Sequence, residues 1–338
     1  MIVLSQSALD LISTLNLMSK DPNTKVYTPT RENYQYLTDV GLKNEVVLLD
    51  FSSLAPAQTR LEWFRNLYRD RKLLDQLVEE IRFETDEVVF HSYDNDPRLG
   101  YLIQRLSLCC DVILIDVLGL KPKTLNWRIL TSKSGVRNLL YAIVMTIIFG
   151  PIFLVSGAPS YPILSLNLAK LQHQERLPSS SSDLEDHLFY QPLVSETAVL
   201  LLYAGAFGVG EEKHHEVFRT LVEILQKCNF KIIVKSHPQS EIPEYLEMAA
   251  SEIVPKHVPF ELVRLEGLSL IVGVSGATLA SASDTPKFSL LKIYNDEGTD
   301  FYELALSQLS KNPELNYPLT FDEFQVTLNK ISRGAHNG

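Results

Sequence analysis

Short apolar, β-branched runs recur through the first third of the chain, at residues 1–5, 25–28, 45–50, 87–91 and 111–116. Runs of this length with little polar alternation are the pattern of strands covered on both faces. Between them the period becomes helical. Residues 7–20 open on a serine suited to an N-cap and gather Leu9, Ile12, Leu15 and Leu17 on one side. Residues 60–81 form a long amphipathic stretch, and residues 97–108 begin with a proline, which a first helical turn accepts. Strands alternating with helices predict a parallel α/β sheet with right-handed crossovers.

The pattern then breaks and restarts. Residues 170–192 include QHQERLPSSSSDLEDHLFYQP, with four consecutive serines and little periodicity, and read as a linker or surface loop. Beyond it, strands are expected at 197–203, 230–235, 252–254, 268–273 and 288–294, and helices at 211–227, 243–250, 260–265, 275–282, 300–309 and 321–331. No internal repeat is evident. The expected architecture is two Rossmann-like domains, 1–190 and 191–338, facing across a cleft. Ligands in such sheets bind beyond the carboxyl ends of the strands.

One segment departs from this scheme. Residues 138–156, NLLYAIVMTIIFGPIFLVS, are about long enough to span a bilayer. Lys121, Lys123, Arg128, Lys133 and Arg137 precede it, with Trp127 among them. Gly150-Pro151 interrupts a straight spanning helix, and a crossing would separate two halves that read as parts of one enzyme. Two readings stand: a monotopic insertion or membrane-facing hairpin, which is preferred, and a buried helix plus strand of the first domain.

Composition narrows the function classes. With 338 residues, 45% of them hydrophobic, the chain can build two cores. That apolar fraction excludes a disordered tail, and 15 Gly with 17 Pro exclude a collagen-like chain. A net charge of −10 excludes a general nucleic-acid binder but leaves room for a local site for an anionic ligand. Cys109, Cys110 and Cys228 make neither a disulfide framework nor a CxxC zinc site, and point to a reducing compartment. The opening MIVLSQSALDLIS has no basic n-region and no small-residue cleavage site, so no secretory signal is expected.

The candidate chemistry lies at strand ends of the second half. The run 231–235 leads into Ser236-His237-Pro238, the run 268–273 into Val274-Ser275-Gly276-Ala277-Thr278, and the run 197–203 into Ala204-Gly205-Ala206-Phe207-Gly208-Val209-Gly210. Ser275 and Thr278 offer hydroxyls beside free N–H groups of a helix start, and Gly276 admits a ligand to the backbone, which suits a phosphate. His237, fixed by Pro238, can donate to a phosphate oxygen or protonate a leaving phosphate. Lys235 adds a positive charge two residues away. The spacing of Gly205, Gly208 and Gly210 is GxxGxG and lacks a P-loop lysine. His214-His215 falls near a helix start and reads as solvated, and His257 falls in a loop near the same rim.

At these residues the sequence resembles the bacterial sialyltransferases and polysialyltransferases of GT-B fold, with the 3-deoxy-ulosonate transferases nearby. IIVKSHP matches their His-Pro motif, giving His237 and Pro238. IVGVSGATLASA is similar to their Ser-Ser/Thr motif at Ser275, with Gly276 and Ala277 separating it from Thr278. VPFELV (258–263) precedes that motif. The resemblance implies that both motifs bind the cytidine monophosphate of a CMP-activated donor. It also implies an acidic general base in the first domain, from an Asp/Glu-Asp/Glu-Gly motif. VILIDVLG supplies Asp116, but Val117 stands where the second acid belongs and Gly119 comes late. Asp94 and Asp96 are back-up candidates, and the literal Asp296-Glu297-Gly298 reads as a loop.

The implied function is transfer of a nonulosonic acid, sialic acid-like or Kdo-like, from a CMP-sugar to a glycan or glycolipid acceptor. No cofactor or metal is required, because the leaving group is already a phosphate monoester. The enzyme is expected in the cytoplasm, peripheral to the inner face of the cell membrane, with no nucleic-acid partner. Two alternatives are a CDP-glycerol or other polyol-phosphate transferase of related fold, and a degenerate GT-B binding subunit. A Rossmann dehydrogenase is disfavoured because no GxGxxG follows the first strand.

Overall fold

Strand β1 (Ile2–Leu4) takes a parallel partner on each side, β2 (Lys25–Thr28) and β4 (Glu87–Ser92), with Val3 opposite Val26 and Val89. β3 (Val46–Leu48) extends the sheet beyond β2, and β5 (Asp111–Asp116) and β6 (Leu171–Gln174) extend it beyond β4. The order is β3-β2-β1-β4-β5-β6, all parallel, the doubly wound order whose switch point lies between β1 and β4. The computed structural model describes residues 1–6, 10–52, 59–92, 97–116, 143–145, 147–150, 171–174, 184–193, 197–205, 210–237, 240–275, 279, 285–294, 300–310 and 312–335. The chain divides into two units, Met1–Glu185 and Asp186–Gly338.

Helices α1 (Leu11–Lys20), α2 (Arg31–Asp39), α3 (Arg60–Glu84) and α4 (Pro97–Leu106) accompany the first sheet. Thr59 caps α3 by accepting the Glu62 N–H at 3.1 Å, so the helix starts where its apolar period starts. Leu67, Leu74, Leu77 and Ile81 of α3 and Leu99, Leu102 and Leu106 of α4 bury themselves with Ile2, Leu4, Phe90 and Val112. Met145 and Phe149 join that core, and the Phe149 ring lies 5.7 Å from Tyr101. This part of the apolar segment 138–156 is therefore packed on one side, while Ile143 and Ile147 face solvent. Among the described residues no helix is long and apolar enough to cross a membrane.

The second unit repeats the plan. β7 (Ala198–Tyr203) lies between β8 (Lys231–Ser236) and β10 (Leu270–Gly273), with β9 (Glu252–Val254) and β11 (Lys287–Ser289) at the edges. The order β11-β10-β7-β8-β9 is again parallel, with its switch point between β7 and β10. Helix α5 (Glu211–Lys227) carries Glu211 and Glu212 in its first turn and Lys227 in its last, each complementing the helix dipole. Its Phe218, Leu221 and Leu225 are buried. α6 (Glu244–Ala249), α7 (Asp300–Leu309) and α8 (Phe321–Ala335) follow, and Phe324 of α8 meets Phe288 of β11 edge-on at 5.4 Å.

Three sequence expectations are corrected. The linker expected at 170–192 holds strand β6, which pairs with β5, and its last residues pack on the second unit. There the Tyr190 hydroxyl and the Leu193 N–H both donate to the Glu252 carboxylate at 2.6 Å. The strand expected at 288–294 ends at Ser289, because the Ser289 hydroxyl donates to the Val274 carbonyl and accepts the Leu291 N–H. That local capture turns Leu291–Tyr294 into a 3₁₀ helix. The helix expected at 260–265 is one 3₁₀ turn, Phe260–Leu262.

His91 of β4 is buried against α1, its Nε2 2.9 Å from the Ser13 hydroxyl, and burial pushes its pKa down to about 4. A histidine with a depressed folded pKa stabilises above its unfolded value, about 6.5, and that contribution is lost as the pH falls toward 4. We expect urea stability to drop between pH 6.5 and 4, by up to about 3 kcal/mol from this residue alone. In His91→Gln the drop, measured in the same melts, should be visibly shallower, and an unchanged slope would mean that His91 titrates normally.

Candidate functional site

The order β10-β7-β8 sets three carboxyl tips side by side. Gly205 lies two residues past β7, His237 one residue past β8, and Ser275 two residues past β10. Parallel pairing leaves this no freedom, since Tyr203 is opposite Ser236 and Val272 is opposite Leu201. The predicted rim therefore exists, and it straddles the β7–β10 switch point where a crevice opens in this fold.

Backbone hydrogen bonds stitch two of the tips together. The His237 N–H donates to the Tyr203 carbonyl at 2.7 Å, and the Ser240 N–H donates to the His237 carbonyl at 2.9 Å. The buried Ser240 hydroxyl then accepts the Gly205 N–H at 2.8 Å. His237 itself stays exposed. Burial of part of its ring, and the positive charge of Lys235, hold its pKa below the ordinary value, so the imidazole is neutral at pH 7. Ser240 was not singled out in the sequence; a serine three residues after His237, in a turn before a helix, is its only signal.

His214 is not solvated, as its place among charged neighbours suggested, but buried. Its Nε2 donates to the Ala204 carbonyl at 2.8 Å, and its Nδ1 accepts the Tyr294 hydroxyl at 2.8 Å. The Tyr203 and Phe218 rings lie 5.4 and 4.8 Å away. Burial lowers its pKa, and the two bonds define one neutral tautomer. Lys213 donates to the Tyr294 carbonyl. His214 thus ties the residue before Gly205 to Tyr294 of the 3₁₀ turn after β11, and its work is positioning.

Lys235 is also turned inward. Its ammonium donates to the Ser236 carbonyl at 2.9 Å and the Lys256 carbonyl at 3.3 Å, and burial pushes its pKa down to about 8. It acts on the rim through its field rather than by contact. Burial holds the Glu261 carboxyl above its usual range, while the Lys235 charge works against that rise. His257, half-buried, lies in the turn after β9.

At β10 the strand end is held by the Ser289 hydroxyl, which donates to the Val274 carbonyl at 2.6 Å. Gly273 allows close packing there, since a Cβ would stand 3.1 Å from the Leu202 Cβ and 3.3 Å from a Leu279 methyl. Ser275 is half-buried. Pro238, Gly276 and Thr278 lie outside the described residues.

In the first unit, Asp116 ends β5 opposite Ser92 of β4. It stands at the carboxyl edge of that sheet, one strand away from the β1–β4 switch point. Asp94 and Asp96 lie outside the described residues, as do Asp296, Glu297 and Gly298. Just past β1 the buried Asp10 accepts the Ser5 hydroxyl at 2.6 Å and the Gln6 N–H at 2.7 Å, while Asn33 donates to Ser5. This polar knot, not foreseen from the sequence, fixes the turn out of β1. Among the described residues no cluster of three or more His, Cys, Asp or Glu side chains could hold a metal ion.

No family model matches the sequence, and no curated protein matches it. Solved structures are similar in outline. A glycotransferase of kitacinnamycin shares 11% identity over 98% of this chain and 90% of its own, with a TM-score of 0.48. An α/β-galactoside α-2,3-sialyltransferase from the luminous marine bacterium Photobacterium phosphoreum shares 10% over 94% and 97%, with a TM-score of 0.44. A UDP-GlcNAc 2-epimerase from Methanocaldococcus jannaschii shares 13% over 98% and 92%, with a TM-score of 0.43. At these values the functional reading has to come from the rim's own residues.

Replacing His214 by Leu orphans the Ala204 carbonyl and the Tyr294 hydroxyl, and urea melts should show a loss of roughly 2–3 kcal/mol. Tyr294→Phe should cost about 1 kcal/mol. The double variant should lose less than the sum, because the second change removes a group the first left unpaired. Strict additivity would show that the two side chains do not bond.

Proposed function

We propose that this chain is a GT-B glycosyltransferase that moves a nonulosonic acid from a CMP-activated donor to a surface-glycan acceptor. The observation that carries the reading is the convergence of the Gly205, His237 and Ser275 tips at the β7–β10 switch point, with the His237 imidazole exposed. The resemblance at IIVKSHP and IVGVSGATLASA supplies the nucleotide: the donor's phosphate lies against His237 and the Ser275 turn, with Pro238, Gly276 and Thr278 completing the grip.

The chemistry asked of these residues is modest. The acceptor oxygen attacks the anomeric carbon, the bond from that carbon to the phosphate oxygen breaks, and CMP departs with the electron pair. His237 donates a hydrogen bond to the phosphate as its charge grows, and the strand-end backbone around Ser275 adds fixed dipoles. Lys235, buried behind the strand end, makes the local potential more positive without touching the ligand. Asp116, from the other unit, takes the acceptor proton. The step needs no cofactor.

Thermal shift against CMP, CDP, UMP, UDP and GDP tests the reading. Saturating CMP should give the largest rise, about 5–10 °C at a hundred times Kd. His237→Ala should remove it; Asp116→Ala should keep it while abolishing transfer. A larger rise with CDP would favour a polyol-phosphate transferase, and CMP binding with no turnover, unaffected by Asp116→Ala, would favour a binding subunit. A rise unchanged in His237→Ala would remove His237 from the site.

The protonation state offers a second check. The free imidazole has a depressed pKa, and a phosphate beside it raises that pKa, so binding takes up a proton. CMP affinity should increase as the pH falls from 8 to 6.5. Calorimetry in two buffers of different ionisation enthalpy should show net proton uptake in the wild type and a much smaller one in His237→Gln; equal uptake in both would place the titrating group elsewhere.

A further inference from the structure

Helix α3 is divided along its length. Its first half, residues 60–73, exposes Leu61, Phe64, Tyr68 and Leu73, interleaved with exposed Arg60, Arg65, Arg69 and Lys72 and only one exposed acid, Glu62. Its second half exposes Phe83 as well, but with three acids, Glu79, Glu80 and Glu84, beside Arg82, so the division is one of charge. Leu61 is 62% exposed and Tyr68 56%, unusual for large apolar side chains at helical spacing. The Lys72 ammonium lies 5.1 Å over the Tyr68 ring, its stem lying along the stripe.

A second apolar surface adjoins this one. Arg71 donates to the Ile148 carbonyl, which seats residues 147–149 against α3. Phe64 precedes Arg71 by seven residues, two helical turns, and so lies on the same side of the helix. Residues 143–145 and 147–149 are helical, with Met145 and Phe149 in the core and Ile143 and Ile147 outward, Ile147 74% exposed. Because β3, β4 and their neighbours are parallel, the crossover helix α3 runs back along the sheet, and its start lies at the carboxyl edge. That is the edge at which Asp116 ends β5.

We propose that this face, the first half of α3 with Ile143 and Ile147, docks on a bilayer surface carrying anionic headgroups. Aromatic and aliphatic side chains flanked by arginine and lysine are what such an interface takes up: the apolar atoms enter the headgroup boundary and the cations meet lipid phosphates. Charge selects this occupant. The chain carries a net charge of −10, so a local excess of four exposed cations over one acid is set against the molecule's own balance. In a two-fold pair the same face would meet its own copy and set Arg65, Arg69 and Lys72 against identical cations. The docked face sets the carboxyl edge of the first unit near the lipid, where a lipid-linked acceptor would lie.

Co-sedimentation of the full chain with vesicles of phosphatidylcholine, with and without phosphatidylglycerol, tests this and needs no nucleotide. Binding should require phosphatidylglycerol and weaken with salt. R65E/R69E/K72E and, separately, F64S/Y68S should each weaken it at least about tenfold. All five positions are exposed or half-exposed, and the two variants fail independently should one misfold. No binding to anionic vesicles, equal binding to neutral ones, or full binding by both variants overturns the proposal. So does a dimer in the wild type that F64S/Y68S abolishes, which would assign the face to a second copy.

Discussion

Strand β7 has a parallel neighbour on each side, and the register of those two ladders fixes everything the second unit offers a ligand. Leu200 is opposite Ile233 on one side and Ile271 on the other, all fully buried. A slip of one residue along either ladder would turn these side chains to the other face and carry a strand tip about 3 Å along its axis. The apolar run that makes β7 a central strand thus also decides that Gly205, His237 and Ser275 share an edge. Core and site are not separate achievements here.

The buried polar groups behind that edge hold its shape. Ser240, His214 and Ser289 each donate to or accept from a backbone group in a turn that leaves a strand end. Turn backbone has no ladder partner, and an unpaired buried amide or carbonyl costs about 1–3 kcal/mol, so side chains must complete it. The outcome is a rim whose loops are braced from below while His237 faces outward. Lys235 belongs to the same layer, hydrogen-bonded to two carbonyl oxygens, with the charge of the Glu261 carboxyl acting on it. A cation so placed stays available to an anion arriving above it.

Much of this was legible in the sequence. The bounds of β2, β5, β9, α5 and α7 agree with the expected ranges, because in each the apolar period begins and ends sharply. That the three strand tips share one edge follows from parallelism; that they are neighbours comes from the strand order, which only the structure shows. The failures have physical causes. Strand β6 reads LQHQ, with one apolar residue, and pairs at a sheet edge with β5. Helix α2 carries a weak apolar signal, its nine residues including only Tyr34, Tyr36 and Leu37 as apolar positions. His214 stands among Glu211, Glu212, Lys213 and His215, and its burial comes from Tyr203 and Tyr294, distant in sequence. No local pattern carries such a contact.

The two units solve one problem in different ways, and the difference bears on what each can do. Both place their switch point beside the first strand of the sheet. In the second unit that point is flanked by two small residues, Gly205 and Ser275. In the first it is occupied by Asp10, Ser5 and Asn33, which satisfy one another at 2.6–3.3 Å. Asp10 accepts two hydrogen bonds in a fully buried position, and such a carboxylate is spent on the turn it holds. Asp116 stands farther along the same edge, at the tip of β5, away from that knot. The two edges thus differ in their chemistry: one carries an exposed histidine at a strand tip, the other a carboxylate held by its own neighbours.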